Sequence, residues 1–143
     1  MSLKLKSSGN QQVKLKLSNI KKGISNPKPL LKRIGVLILN EVNKNFVRGS
    51  NDGNAWTPNA PATIARKGSS KPLIDTGNLR ASFTYQVKRN SVEIGSPVFY
   101  SEFHEFGTST IPQRKMLPKD SKASKIAVAQ TKIYLKTLAN RPV

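Results

Sequence analysis

One stretch concentrates the chain's chemistry. Phe99-Tyr-Ser-Glu-Phe-His-Glu-Phe-Gly-Thr108 holds the single histidine, His104, with Glu102, Glu105 and four aromatic residues around it. An imidazole near carboxylates is the raw material of acid–base catalysis or of a two-ligand metal site. The spacing argues against both. At about 100° per helical residue, His104 diverges from Glu105 and further still from Glu102. A helical metal pair wants a second ligand at i+4, where Thr108 stands. Asp75 is the other acid weighed for such a role. Serine and threonine do not fall in a nucleophile-elbow pattern, and no glycine loop of the phosphate-binding kind occurs. Without cysteine there is neither a disulfide framework nor a thiolate metal site. The expectation is a non-enzymatic chain without catalytic, metal-binding or cofactor-binding residues, in which His104 is structural.

The same stretch has a second use. Phe99, Phe103 and Phe106 fall at i, i+4 and i+7, one stripe of a short helix. Gly107 stands where a left-handed C-cap belongs. Aromatic residues are 6% of the composition, so these rings, with Leu79, are expected to form a structural core motif. Each would contribute about 2–3 kcal/mol on full burial. Truncating Phe103 would then cost on the order of 3 kcal/mol.

Elements that must position this stretch are legible on both sides. A polar, lysine-rich segment, 1–12, is expected to be a flexible arm without the apolar run of a secretory signal. Residues 13–140 are expected to form one α+β domain, as the 143-residue length allows. Val13, Leu15 and Leu17 alternate with Lys14 and Lys16, the period of a half-buried strand. From Pro29 to near Gly49, Leu30, Ile34, Leu37, Ile38, Val42 and Phe46 mark a long helix. Residues 49–72 read as an extended loop with at most one helical turn near 62–66. Within it, Trp56 is either an anchor that pins the loop to the core or an interface residue. Asp75 or Thr76 is expected to cap a short helix with Leu79 inward. Phe83, Tyr85 and Val87, then Val92 and Ile94, predict a β-hairpin turning at 89–91. Residues 108–120 read as a second extended loop. Ile126, Ala129, Ile133 and Leu138 predict a C-terminal helix with Lys125, Lys132 and Lys136 exposed. The expected fold is a small, mainly antiparallel sheet with the long helix packed across it. No run is long and apolar enough to cross a membrane, and a soluble intracellular protein is expected.

Charge is the loudest global feature, at +18. Residues 1–50 carry eleven basic side chains against one acidic, and 111–143 carry eight against one. Between them, 51–110 are nearly balanced, six against five. Basic ends attract polyanions, either nucleic acid or an acidic protein face. The candidate contacts are Lys14, Lys16, Lys21, Lys22, Lys125, Lys132 and Lys136. A plainly solvated surface is the alternative reading of the same charge.

Several blocks in this order carry a resemblance. Trp56-Thr-Pro58, Leu73-Ile-Asp-Thr-Gly-Asn-Leu-Arg80 with Ser82, Val92-Glu-Ile-Gly95, Tyr100 with Phe103-His-Glu-Phe-Gly107, and Ile111-Pro-Gln-Arg114 together resemble the phage virion morphogenesis family. That family includes tail-completion and head–tail joining proteins of Mu-like and P2-like phages. The chain departs from the pattern at Lys115, where an aromatic or apolar residue is usual. The resemblance implies a structural component of the virion neck or tail, present in host cytoplasm during assembly. It also implies a ring of identical subunits touching neighbouring neck or tail proteins. Two long loops suit arms reaching onto a neighbouring subunit. The candidate interface is therefore Trp56, Ile111, Arg114, Met116 and Leu117. Weak, sequence-blind contact with DNA is the second expected partnership. A basic, non-enzymatic nucleic-acid-binding protein is the rival function.

Overall fold

A computed structural model describes residues 2–6 and 25–140. The strand expected at 13–17, with Lys14, Lys16, Lys21 and Lys22, lies outside the described residues. The rest is α+β, as expected, and its organising element is helix α1, Lys28–Arg48. Pro29 occupies the first turn, where its missing N–H leaves no bond unmade. At the other end the left-handed Gly49 donates its N–H to the Asn45 carbonyl at 2.9 Å. Leu30, Leu31, Ile34, Ile38, Val42 and Phe46 are buried. Leu37, expected on the inner stripe, sits at its edge, half-buried.

This helix lies across a three-stranded antiparallel sheet. The predicted hairpin is β4, Thr84–Val87, and β5, Ser91–Gly95, with Tyr85 opposite Ile94 and Val87 opposite Val92. The second edge of β5 is taken by β1, Ser2–Lys6, so the order is β1-β5-β4. Residues 2–6 therefore do not belong to a free arm. Their sequence, Ser-Leu-Lys-Leu-Lys, has the period-two alternation of a strand within a segment whose overall polarity suggested none. Helix and sheet meet closely at Gly35. A Cβ there would stand 2.6 Å from Tyr85 Cδ2 and 3.1 Å from Val92 Cγ2. Glycine inside a helix costs about 1 kcal/mol relative to alanine; here it permits the contact.

The expected loop at 49–72 is more ordered than its composition suggested. Strands β2, Ser50–Asn51, and β3, Asn54–Ala55, form a small hairpin. Asp52 and Gly53 turn it with φ of 51° and 79°, the backbone a tight two-residue hairpin turn needs. Helix α2, Pro61–Lys67, extends the single turn expected there. Helix α3, Asn78–Ser82, buries Leu79 as expected, but its cap differs. Gly77 precedes it, the Thr76 hydroxyl accepts the Asn78 N–H only at 3.4 Å, and Asp75 pairs with Arg66 at 3.1 Å.

Helix α4, Ser101–Phe106, follows the hairpin, and α5, Asp120–Ala139, closes the described chain. On α5, Ala123 and Leu138 are buried, and Ile126, Ala127 and Tyr134 pack half-buried on the core. Ala129 and Ile133, expected inward, are exposed, because the inner side of the helix runs through 123, 126, 127, 134 and 138. Lys125, Lys132 and Lys136 are exposed, as expected. The aromatic centre of the core lies elsewhere than α4. Phe46 meets Trp56 at 5.5 Å and Phe83 at 5.8 Å between ring centroids, both edge-on.

Candidate functional site

The stripe on α4 faces water. Phe99, Phe103 and Phe106 are 77%, 42% and 67% exposed, so these three do not form the expected core motif. The i, i+4, i+7 spacing correctly puts the rings on one side, but that side is the outer one. The inner face is Ser101 and Glu105, one turn apart and both buried. A six-residue helix can point either face inward, and here the polar face finds better partners.

Ser101 donates to the Val98 carbonyl at 2.7 Å, whereas the partners of Glu105 belong to the segment that follows. Gly107 is not the expected left-handed cap: at φ 74°, ψ 164° it occupies a conformation open essentially to glycine alone. The chain reverses there, and residues 111–117 run back along α4. Arg114 donates its N–H to the His104 carbonyl at 2.7 Å, and the Gln113 amide donates to the Glu105 carbonyl at 3.1 Å. The Glu105 carboxylate accepts the N–H groups of Met116 at 2.7 Å and Leu117 at 3.3 Å. From the opposite side, Asn45 donates to the Met116 carbonyl at 2.9 Å. Asn51 donates to the carbonyls of Lys115 and Leu117, and Trp56 Nε1–H to that of Lys115 at 2.9 Å. Arg114 itself bonds the Thr57 and Pro58 carbonyls at 2.8 and 3.1 Å. Four side chains, Glu105, Asn45, Asn51 and Trp56, thus clamp one backbone segment.

This arrangement revises the expected interface. Trp56, Arg114 and Met116 are buried by their own chain, and Ile111 and Leu117 are half-buried. The physical reason is the run of otherwise unpaired backbone groups at 115–117, which the clamp satisfies. Of the two readings of Trp56, the anchor is the one that matches its burial. Sequence reasoning missed Asn45, Asn51 and Glu105. Asn45 carried a signal, a polar residue three positions beyond Val42 on an otherwise apolar stripe.

Electrostatics follow the burial. Burial pushes the Glu105 carboxyl above its ordinary value, against the lowering pull of the two N–H groups it accepts. His104 is held below its ordinary value by burial and by the Arg114 guanidinium. Its Nδ1 is buried without a hydrogen-bond partner among the described residues. The imidazole borders a cleft of about 630 Å³ with Tyr100, Arg114, Arg66 and Asp75, yet neither Glu102 nor Glu105 lines that cleft. The two glutamates and the imidazole therefore diverge, as the spacing implied, while Asp75, on the same cleft, is paired with Arg66. Among the described residues, no three of His, Asp and Glu gather as a metal set.

A second concavity, about 850 Å³, opens between α1 and α5. Leu37, Val47, Ile126 and Ala129 make its apolar lining. Lys44, Arg48, Arg80, Lys122 and Lys125 surround it. Glu41 is the acid among its lining residues, and it pairs with Lys44 at 3.0 Å and Lys122 at 2.9 Å. Burial raises the Glu41 pKa, but hydrogen bonds from these two lysines outweigh it and leave it lowered.

The domain is thus an α+β unit whose polar motif holds its own backbone and whose exposed features are an aromatic helix and a cationic groove. The model of the phage virion morphogenesis family matches residues 9–142, and the chain belongs to that family. No curated protein and no solved structure matches it significantly. Among the described residues no helix is long and apolar enough to cross a membrane.

Proposed function

We propose that the chain is a non-enzymatic structural component of a phage or prophage virion that completes the tail or joins head to tail. It acts as a ring of identical subunits at the neck or tail, beside neighbouring virion proteins. The observation that carries this reading is the family match across residues 9–142. Two features support it. Glu105 and Arg114, the polar groups of the most chemical-looking blocks, are engaged with backbone. The exposed phenylalanines offer the surface an assembly protein needs. Deleting the gene in its phage tests the reading: filled heads and tails accumulate separately in negative-stain micrographs and join when the protein is supplied. Normal yields of joined particles would overturn it.

The rival, a nucleic-acid-binding protein, is favoured by the charge of +18 and by the exposed Lys125, Lys132 and Lys136 along α5. Anisotropy titration against duplex DNA separates the two. The structural reading expects weak binding that disappears with added salt, whereas sub-micromolar, sequence-selective binding supports the rival.

A further inference from the structure

Two exposed surfaces of this molecule complement one another. Three of the five phenylalanines lie outward on or beside α4. Phe99 stands edge-on to Phe103 at 6.3 Å and to Tyr100 at 5.4 Å, and Phe106 is exposed at the end of the same helix. Rings this large are ordinarily removed from water, and an exposed cluster of them marks a contact surface. The groove between α1 and α5 is apolar within and cationic around, and Val47 inside it is 64% exposed.

Charge says what fits the groove. Residues 90–113, which contain α4, hold no lysine or arginine, and Glu102 stands exposed on α4 while Glu105 is turned inward. In a chain of +18 this stretch is where a second copy can approach a ring of cations without repulsion. Nucleic acid would match the cations but leave the rings and the apolar floor in water. A second copy covers both.

We propose that the aromatic face of α4 docks in the α1–α5 groove of the next copy, repeated head to tail. This rests on the ring reading above and names the surfaces that build the ring. The two patches share no residue, so the contact is heterologous and generates a ring when the rotation closes. At 77%, 42% and 67% exposed, the three rings have roughly 300–450 Å² left to bury between them. That area makes the pairwise contact a weak one, which closure of the ring strengthens through effective concentration.

The test uses two full-length variants and sedimentation velocity over a range of concentrations. Phe99→Asp with Phe106→Asp removes the aromatic face. Val47→Glu with Ala129→Glu fills and reverses the groove. All four positions are exposed, so both variants keep the wild-type circular dichroism and melting transition. Each is expected to weaken self-association at least about tenfold. Mixed together they are expected to form a dimer that grows no further, because one intact patch of each kind remains. Wild-type oligomers unaffected by either variant overturn the surfaces but leave the ring reading standing. Loss of assembly in the aromatic variant alone, without rescue on mixing, points to an isologous aromatic contact or another partner and also overturns them. A wild type monomeric at every concentration overturns both.

Discussion

Two groups of three aromatic residues divide this molecule. Phe46 on α1, Trp56 just beyond β3 and Phe83 between α3 and β4 come from three separate segments and meet edge-on in the core. Phe99, Phe103 and Phe106 come from one short segment, share one helical face and stay in water. Local spacing describes the second group completely and the first not at all. The difference shows that periodicity fixes which residues travel together, whereas tertiary hydrogen bonding fixes which way they face. On α4 the deciding group is Glu105, whose inward position follows from the otherwise unpaired N–H groups of Met116 and Leu117.

Breaking the buried group has the largest expected effect. Trp56→Ala removes a ring from the core and the donor to the Lys115 carbonyl, and is expected to cost about 3–5 kcal/mol. Urea denaturation measures it, and a loss below about 1 kcal/mol would show that the Phe46–Trp56 contact does not hold the core.

The Glu105 clamp comes next. Glu105→Ala strands the N–H groups of Met116 and Leu117 and is expected to cost about 2–3 kcal/mol. Glu105→Gln keeps an acceptor and removes a buried charge, so it costs far less near neutrality. The two differ again with pH. Because burial raises the folded pKa above the ordinary 4.5, the folded chain holds a proton the unfolded chain has released. That stabilisation is complete below 4.5 and is lost as pH rises through the folded value. His104 acts in the opposite sense: its folded pKa is lowered, so its contribution is present above 6.5 and is lost as pH falls toward the folded value. Subtracting the Glu105→Gln profile from wild type isolates the carboxylate, and the difference should fall with rising pH. A difference that rises instead would mean that the two N–H groups, rather than burial, dominate at Glu105.

The helix-to-sheet contact is a smaller lever. Gly35→Ala improves helix propensity by about 1 kcal/mol. It also sets a methyl 2.6 Å from the Tyr85 ring. A net loss of about 1–3 kcal/mol is expected, read from the thermal midpoint. A gain would mean that Tyr85 yields freely.

Much of the scaffold was legible from pattern alone. Helix α1, the β4–β5 hairpin and α5 announce themselves through periods of about 3.6 and 2 over long enough runs. Where runs were short, competing rules decided. The β2–β3 hairpin rests on two-residue strands whose only mark was Asn51-Asp-Gly-Asn54, a turn signal without flanking apolar alternation. On α5 the expected stripe is half right: Ile126 and Leu138 face the core, whereas Ala129 and Ile133 are exposed and small Ala123 and Ala127, which carry a weaker apolar signal, take the inner side. The clamp was hidden for a different reason. Its members, Asn45, Asn51, Trp56 and Glu105, converge on backbone atoms, and backbone carries no sequence signal.

The smallest effect on stability sharpens the contrast most. Phe99 is 77% exposed, so Phe99→Ala removes few intramolecular contacts and no hydrogen-bonded group. Surface substitutions of this kind usually change stability by within about 0.5 kcal/mol. Phe103, at 42% exposed, packs partly against its own chain, so its truncation is expected to cost about 1 kcal/mol rather than the 3 kcal/mol of a core ring. Denaturant midpoints for the two variants should therefore stay near wild type while the Trp56→Ala midpoint falls steeply. If Phe99→Ala destabilised the chain as much as Trp56→Ala, the outward face of α4 would be an illusion and the two aromatic groups would form one core. If it leaves the fold intact, the rings of α4 contribute little to the fold, and the core rests on Phe46, Trp56 and Phe83.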